Sequence, residues 1–173
     1  MDDRALQALS IEVGEALKAR GLMIATAESC TGGWIAQVLT AIAGSSSYVD
    51  RGFVTYSNEA KQDMLDVPAA TIASHGAVSE ATVQAMAAGA LAHSRAQVAV
   101  SVSGVVGPGG GTPVNPVGSV CFGWALRTAG APAAEAQVHS ARMLFQGDRE
   151  AVRRQSVQYS LQGVLRLLES VPA

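Results

Sequence analysis

Thr26-Ala27-Glu28-Ser29-Cys30-Thr31-Gly32-Gly33-Trp34 is the stretch whose reading decides the fold. The apolar run Leu22 to Ala27 before it has the character of a buried strand, and Trp34 to Ala43 after it that of a helix. Ser29 therefore falls on a strand-to-helix turn, the place where a parallel α/β sheet keeps its chemistry. A hydroxyl there lies beside the unpaired N–H groups of a helix's first turn, which favour developing negative charge. Gly32 and Gly33 leave room for a ligand to approach the backbone. The competing reading is structural: Ser29 or Thr31 as a simple N-cap.

Working outward, Leu6, Leu9, Val13, Ala16 and Leu17 recur on one face and predict a helix from about Asp3 to Arg20, closed by Gly21. After the polar break Gly44-Ser45-Ser46-Ser47, the run Arg51 to Ser57 favours a strand. Asn58 then reads as the N-cap of a helix whose first turn carries Lys61. Pro68 to Val78 reads as a connector. Ser79 caps an alanine-rich helix over about Glu80 to Ser94, whose small face of Ala85, Ala88, Gly89 and Ala92 suits close packing. Gln97 to Ser103 is the next strand.

The glycine-rich segment Gly104 to Gly118 follows. Its three prolines and the strand pattern after it rule out a Rossmann loop, and it lacks the Gly-Lys-Ser/Thr ending of a Walker loop. What remains is a long loop whose N–H groups offer a nest for a phosphate or other anion, or else a structural Ω-loop. Ser119 to Arg127 and Ala134 to Met143 form an expected antiparallel hairpin, and Gly147-Asp148-Arg149 opens a last helix with Val157, Leu161, Val164, Leu165 and Leu168 as its apolar stripe. Near its start Arg149, Arg153 and Arg154 form a cationic cluster, either solvated or facing an anionic substrate.

The chain has 173 residues, 49% of them hydrophobic, and a formal charge of −2, which predicts a single domain over 1–173 without a nucleic-acid-binding field. No run is long enough for a membrane span, and Met1-Asp2-Asp3-Arg4 has no signal-peptide pattern, so the expected location is cytoplasmic. Cys30 and Cys121 are expected as free thiols. His75, His93 and His139 belong to no ligand pattern, so no metal and no cofactor is expected. Only Lys18 and Lys61 stand against ten arginines. An amine that must lose its proton cannot be replaced by a guanidinium, and Lys61, a cation in a first helical turn, has the wrong sign for the helix dipole. Burial there would depress its pKa further.

The blocks Thr26 to Gly33, Gly52 to Asn58 with Lys61, His75 to Ser79, Ser101 to Gly104 with Gly107 to Gly111, and Pro116 to Gly118 together resemble the CinA carboxy-terminal domain family, over nearly the whole chain and in the family's order. The family includes stand-alone nicotinamide-nucleotide amidohydrolases, and a chain of this length resembles that form. Ser103, where Thr is common, and Val106, where Ala is common, depart from the pattern. The resemblance implies a three-layer α/β/α sandwich with a mostly parallel mixed sheet and an antiparallel hairpin. It implies hydrolysis of the carboxamide of nicotinamide mononucleotide to nicotinic acid mononucleotide and ammonia. Ser29, Tyr56 and Lys61 correspond to its catalytic positions.

On that basis we expect a Ser–Lys amidase in which neutral Lys61 takes the Ser29 proton and Tyr56 orients the lysine or relays its proton. The N–H groups of Cys30 and Thr31 are the oxyanion candidates. Gly32, Gly33, Asn58, Ser103 and Gly104, with the loop Gly107, Gly109, Gly110 and Gly111 and an arginine such as Arg149, would hold the substrate. Cys30 is a competing nucleophile. The alternatives are a pyridine-nucleotide-binding or protein-interaction module without turnover, and an amidase for another carboxamide. The expected partners are the nucleotide and a second copy of the chain in a homodimer or higher oligomer.

Overall fold

A computed structural model describes all residues, Met1–Ala173. The elements follow in the order α1 (Asp3–Arg20), β1 (Ile24–Glu28), α2 (Trp34–Thr40), β2 (Val49–Val54), α3 (Asn58–Leu65), α4 (Ala69–His75), α5 (Glu80–Ala92), β3 (Val98–Gly104), β4 (Ser119–Leu126), β5 (Gln137–Leu144) and α6 (Arg149–Leu168). The five strands form one sheet in the order β2-β1-β3-β4-β5. β1 is parallel to β2 and to β3, whereas β3–β4 and β4–β5 are antiparallel. The sheet is thus evenly mixed. The 105–118 loop returns the chain beside β3 without a crossover helix, and only a crossover makes a neighbouring strand parallel.

Helices α1, α2 and α6 cover one face of the sheet and α3, α4 and α5 the other, giving three layers. The strands supply different residues to the two sides because successive side chains alternate. Toward α1 and α6 point Ile24, Val98, Val100, Val102, Val120, Phe122 and Trp124, which meet Leu6, Val13, Leu17, Val157, Leu161 and Val164. Toward α5 point Ala25, Ala27, Ala99, Cys121 and Ala125, which meet Val83, Met86, Ala87, Ala90 and Leu91. A floor of small side chains lets α5 lie close to the sheet. The same economy holds where α5 meets α3: a methyl group on Gly89 would collide with the Leu65 carbonyl.

Several boundaries have local causes. Gly21, at φ 62°, closes α1 by donating to the Leu17 and Lys18 carbonyls. Ser79 caps α5 by accepting from Thr82 N, and Asp148 caps α6 by accepting from Ala151 N. At α3 the expected cap Asn58 is instead the first helical residue. Ser57 takes the cap, its Oγ accepting from Ala60 N at 3.0 Å. No helix is long and apolar enough to cross a membrane.

Candidate active site

β1 and β2 run side by side and both feed helices at the same edge of the sheet, so two strand-to-helix junctions lie next to each other. At the first, Ser29 N–H donates to the Val102 carbonyl at 3.0 Å, and Thr55 N–H donates to the Glu28 carbonyl at 2.8 Å. The chain then turns through Gly32 at φ 62° and Gly33 at φ 100°, conformations that favour glycine. These two glycines serve the turn and do not line the cavity described below.

Neither the Ser29 nor the Thr31 side chain caps the N-terminus of α2, although the Thr31 carbonyl accepts from Trp34 N–H at 3.1 Å. Gly33 stands at the cap position without a side-chain bond. The fully buried Glu28 carboxylate does the work: Oε1 accepts from the Thr31 hydroxyl at 2.6 Å and Ile35 N–H at 2.8 Å, and Oε2 from Ala36 N–H at 3.1 Å. Burial pushes the Glu28 pKa upward, opposed by the Thr31 hydroxyl and the backbone N–H groups. The simple N-cap reading of Ser29 or Thr31 is therefore replaced. The Ser29 hydroxyl is left for something else.

At the second junction Lys61 occupies the first turn of α3 and its side chain runs back toward the sheet, 1% exposed. Nζ lies 3.0 Å from Ser29 Oγ and donates to the carbonyls of Thr55 at 2.9 Å and Tyr56 at 3.2 Å, with Ser57 O at 3.4 Å. Burial lowers the Lys61 pKa, because the charged form loses its hydration. Ser29 Oγ also lies 3.4 Å from the Tyr56 carbonyl. The Tyr56 main chain thus touches both groups. Tyr56 as a residue is 64% exposed, and its phenol pairs with Arg149 Nη2 at 3.4 Å, with no bond to Lys61.

Ser29 and Lys61 open into a cavity of about 270 Å³ whose walls include Cys30, Asn58, Ser103, Gly104, Gly107, Gly109, Gly110 and Arg149. Tyr56, Ala77, Val78, Val105 and Val106 complete it. The N–H groups of Cys30, Thr31, Val106, Gly107, Gly109, Gly110 and Gly111 have no hydrogen-bond partner within the protein. Thr31 lies behind the wall, its hydroxyl spent on Glu28, and Gly111 packs against the main chain at Pro116–Val117. Cys30 is buried, and desolvation pushes its thiol up to about 12. A thiolate nucleophile is strongly disfavoured there.

The three arginines at the start of α6 divide their tasks. Arg149 reaches the cavity, donating from Nη1 to the Gly107 carbonyl at 2.7 Å. Arg153 donates from Nε to the Cys30 carbonyl at 3.1 Å and from Nη2 to the Thr31 carbonyl at 3.0 Å. Arg154 pairs with Asp3 at 2.7 Å and Glu150 at 3.4 Å. A larger cavity, about 760 Å³, lies between α1, α2 and the start of α6 and shares only Arg149 with the first. It holds no nucleophile beside a base. No three histidine, cysteine or carboxylate side chains come together as a metal-binding group.

Sequence reasoning missed Glu28, and it read Arg153 only as a member of the cationic cluster, not as a donor to the Ser29 turn. A carboxylate ending an otherwise apolar strand was the available signal for Glu28, since a buried charge needs partners. For Arg153 it was the spacing of four from Arg149, which puts both on one helical face.

The family model of the CinA C-terminal domain matches residues 6–168. A nicotinamide-nucleotide amidohydrolase PncC of Escherichia coli (strain K12) is 54% identical over 162 residues, 94% of each chain. Among solved structures, the competence damage-inducible protein A of Klebsiella pneumoniae superposes with a TM-score of 0.89 at 43% identity, covering 96% of this chain and 99% of that one. The competence/damage inducible protein CihA of Agrobacterium tumefaciens gives a TM-score of 0.87 at 44% identity, covering 94% of both chains.

Proposed function

This chain belongs to the CinA C-terminal domain family, and from that premise we propose that it is a nicotinamide-nucleotide amidohydrolase acting as one domain over residues 1–173. It converts nicotinamide mononucleotide and water to nicotinic acid mononucleotide and ammonia. The observation that carries the reading is the 3.0 Å approach of Lys61 Nζ to Ser29 Oγ inside a buried, depressed-pKa site.

A neutral amine has two N–H groups and one lone pair. Donated to the Thr55 and Tyr56 carbonyls, the two hydrogens leave the lone pair facing Ser29 Oγ, the arrangement a general base needs. Lys61 takes the hydroxyl proton as Oγ attacks the carboxamide carbon. The negative charge that develops on the amide oxygen is met by the unpartnered N–H of Cys30, the donor of this turn that lines the cavity. The lysine ammonium then passes its proton to the departing nitrogen, which leaves as ammonia. Water, deprotonated by the same amine, cleaves the acyl-serine and releases the carboxylate product.

Tyr56 acts through its carbonyl, which orients Lys61, while its phenol and Arg149 stand at the cavity mouth. The nucleotide phosphate is taken by Arg149 and the free N–H groups of Gly107, Gly109 and Gly110, with Asn58, Ser103 and Gly104 against the rest of the substrate.

The test is ammonia release by the purified protein, without added metal, from nicotinamide mononucleotide and from free nicotinamide. We expect turnover of the first and, for want of the phosphate contacts, very little of the second. Comparable rates for the two would overturn the phosphate assignment. Tight binding of the nucleotide with no ammonia would favour a silent binding module instead.

A further inference from the structure

The turn that carries Ser29 is gripped from outside by a residue more than a hundred positions away. We propose that Arg153 is a positioning residue of the amidohydrolase reaction, one that aims and polarises the Cys30 N–H of the oxyanion site through the peptide units between. This rests on the function proposed above.

The connections run through the backbone. Arg153 Nε donates to the Cys30 carbonyl at 3.1 Å, and the other end of that peptide unit is Thr31 N–H. Arg153 Nη2 donates to the Thr31 carbonyl at 3.0 Å, and the other end of that unit is Gly32 N–H. Gly32 N–H in turn donates to the Ser29 carbonyl at 3.1 Å, whose peptide partner is Cys30 N–H. The unpartnered Cys30 N–H therefore sits at the far end of a chain of hydrogen bonds that starts on one guanidinium. Bonds in series polarise one another, and a charged donor at the head strengthens those that follow. The fork geometry matters, because one planar group spans two successive carbonyls.

Packing holds the guanidinium where the relay needs it. It lies over the Trp34 ring, 5.5 Å from the centroid, beside Arg154 at 5.0 Å. Arg154 shares the stacking partner but bonds to Asp3 and Glu150, not to the turn. It is the natural control.

The experiment compares Arg153→Ala, Arg153→Lys and Arg154→Ala in steady-state hydrolysis of nicotinamide mononucleotide and in the rate of Ser29 modification by a fluorophosphonate. The latter places a phosphoryl oxygen where the amide oxygen would go and needs no nucleotide recognition. A displacement of about 1 Å in catalytic geometry costs about 100-fold. We expect Arg153→Ala to lower kcat and the labelling rate together by about 10- to 100-fold, with KM within about 3-fold. Arg153→Lys keeps the charge without the fork and should fall between; it carries the comparison if the alanine variant does not fold. Arg154→Ala should change neither rate more than about 2-fold. Arg153 variants indistinguishable from Arg154→Ala would overturn the proposal, as would a rise in KM at unchanged kcat. Should the unmutated protein label at Ser29 yet release no ammonia from the nucleotide, the substrate reading fails while the labelling ratio still decides the role of Arg153.

Discussion

The two strand-to-helix junctions lie side by side and solve the same electrostatic problem in opposite ways. After β2, the α3 helix is capped locally: Ser57 hydroxyl to Ala60 N–H, one residue before the helix begins. After β1, the local hydroxyls are passed over and a buried carboxylate from the strand itself, Glu28, satisfies Ile35 and Ala36 N–H. A serine that caps cannot readily be a nucleophile, because its oxygen is already engaged with N–H donors. Delegating the cap of α2 to Glu28 leaves Ser29 Oγ to face Lys61. The difference between the junctions is one of role: Ser57 builds a helix, and Ser29 is spared from building one.

The sharpest way to break that contrast is to exchange the reactive groups. Ser29→Ala and Lys61→Ala should each lower kcat by about 10⁴-fold or more, judged by ammonia release at saturating nucleotide. Lys61→Arg should be as inactive as Lys61→Ala, because a guanidinium does not give up its proton near neutrality. Substantial activity in the arginine variant would remove Lys61 as the base. Cys30→Ala should stay within about 3-fold, since burial keeps that thiol protonated.

A titration gives the next largest effect. On the proposed mechanism Lys61 must be neutral to act, and its pKa is depressed in the folded protein, so kcat/KM should rise with pH about tenfold per unit until the lowered pKa is passed. The same depression affects stability. The folded state gives up this proton at a lower pH than the unfolded chain, so the penalty of burying the ammonium is greatest at low pH. It is relieved as pH rises through the folded pKa toward the ordinary lysine value. Lys61→Met should therefore flatten the rise of the denaturation midpoint with pH; an unchanged slope would show that Lys61 is not the titrating group.

Stability measurements separate the two caps. Glu28→Ala leaves two buried N–H groups and the Thr31 hydroxyl without their acceptor and should cost about 3 kcal/mol in urea unfolding. Ser57→Ala removes one cap bond at an exposed position and should cost about 1 kcal/mol. Equal losses would mean that the buried carboxylate is no more than an ordinary cap.

Much of this arrangement was legible in the residues. The periodicity of α1, the placement of Ser29 and Lys61 after successive strands, and the long glycine-rich loop between β3 and β4 all follow from local pattern, and local pattern is what a sequence displays. Two kinds of feature were not. The cap at Asn58 slipped by one residue because Ser57 and Asn58 are both good caps, and only the chain path out of β2 decides between them. The partners of Glu28 and Arg153 depend on tertiary approach, across eight and more than a hundred residues respectively. Tyr56 was singled out for its side chain, whereas its carbonyl is what touches Lys61. A carbonyl belongs to every residue, so no residue type could have announced it.

Gly89 bears on how deep the amine sits. Because α5 lies on the small-residue face of the sheet and α3 rests against α5 at Gly89, the Leu65 carbonyl fills the space a side chain would have taken. Gly89 is in effect a spacer of zero thickness beneath the helix that carries Lys61. Any thicker spacer would lift α3, and a displacement of a few tenths of an ångström at the spacer would be felt at the 3.0 Å gap between Nζ and Oγ. The reach of the Lys61 amine is thus gauged by an atom that is not there.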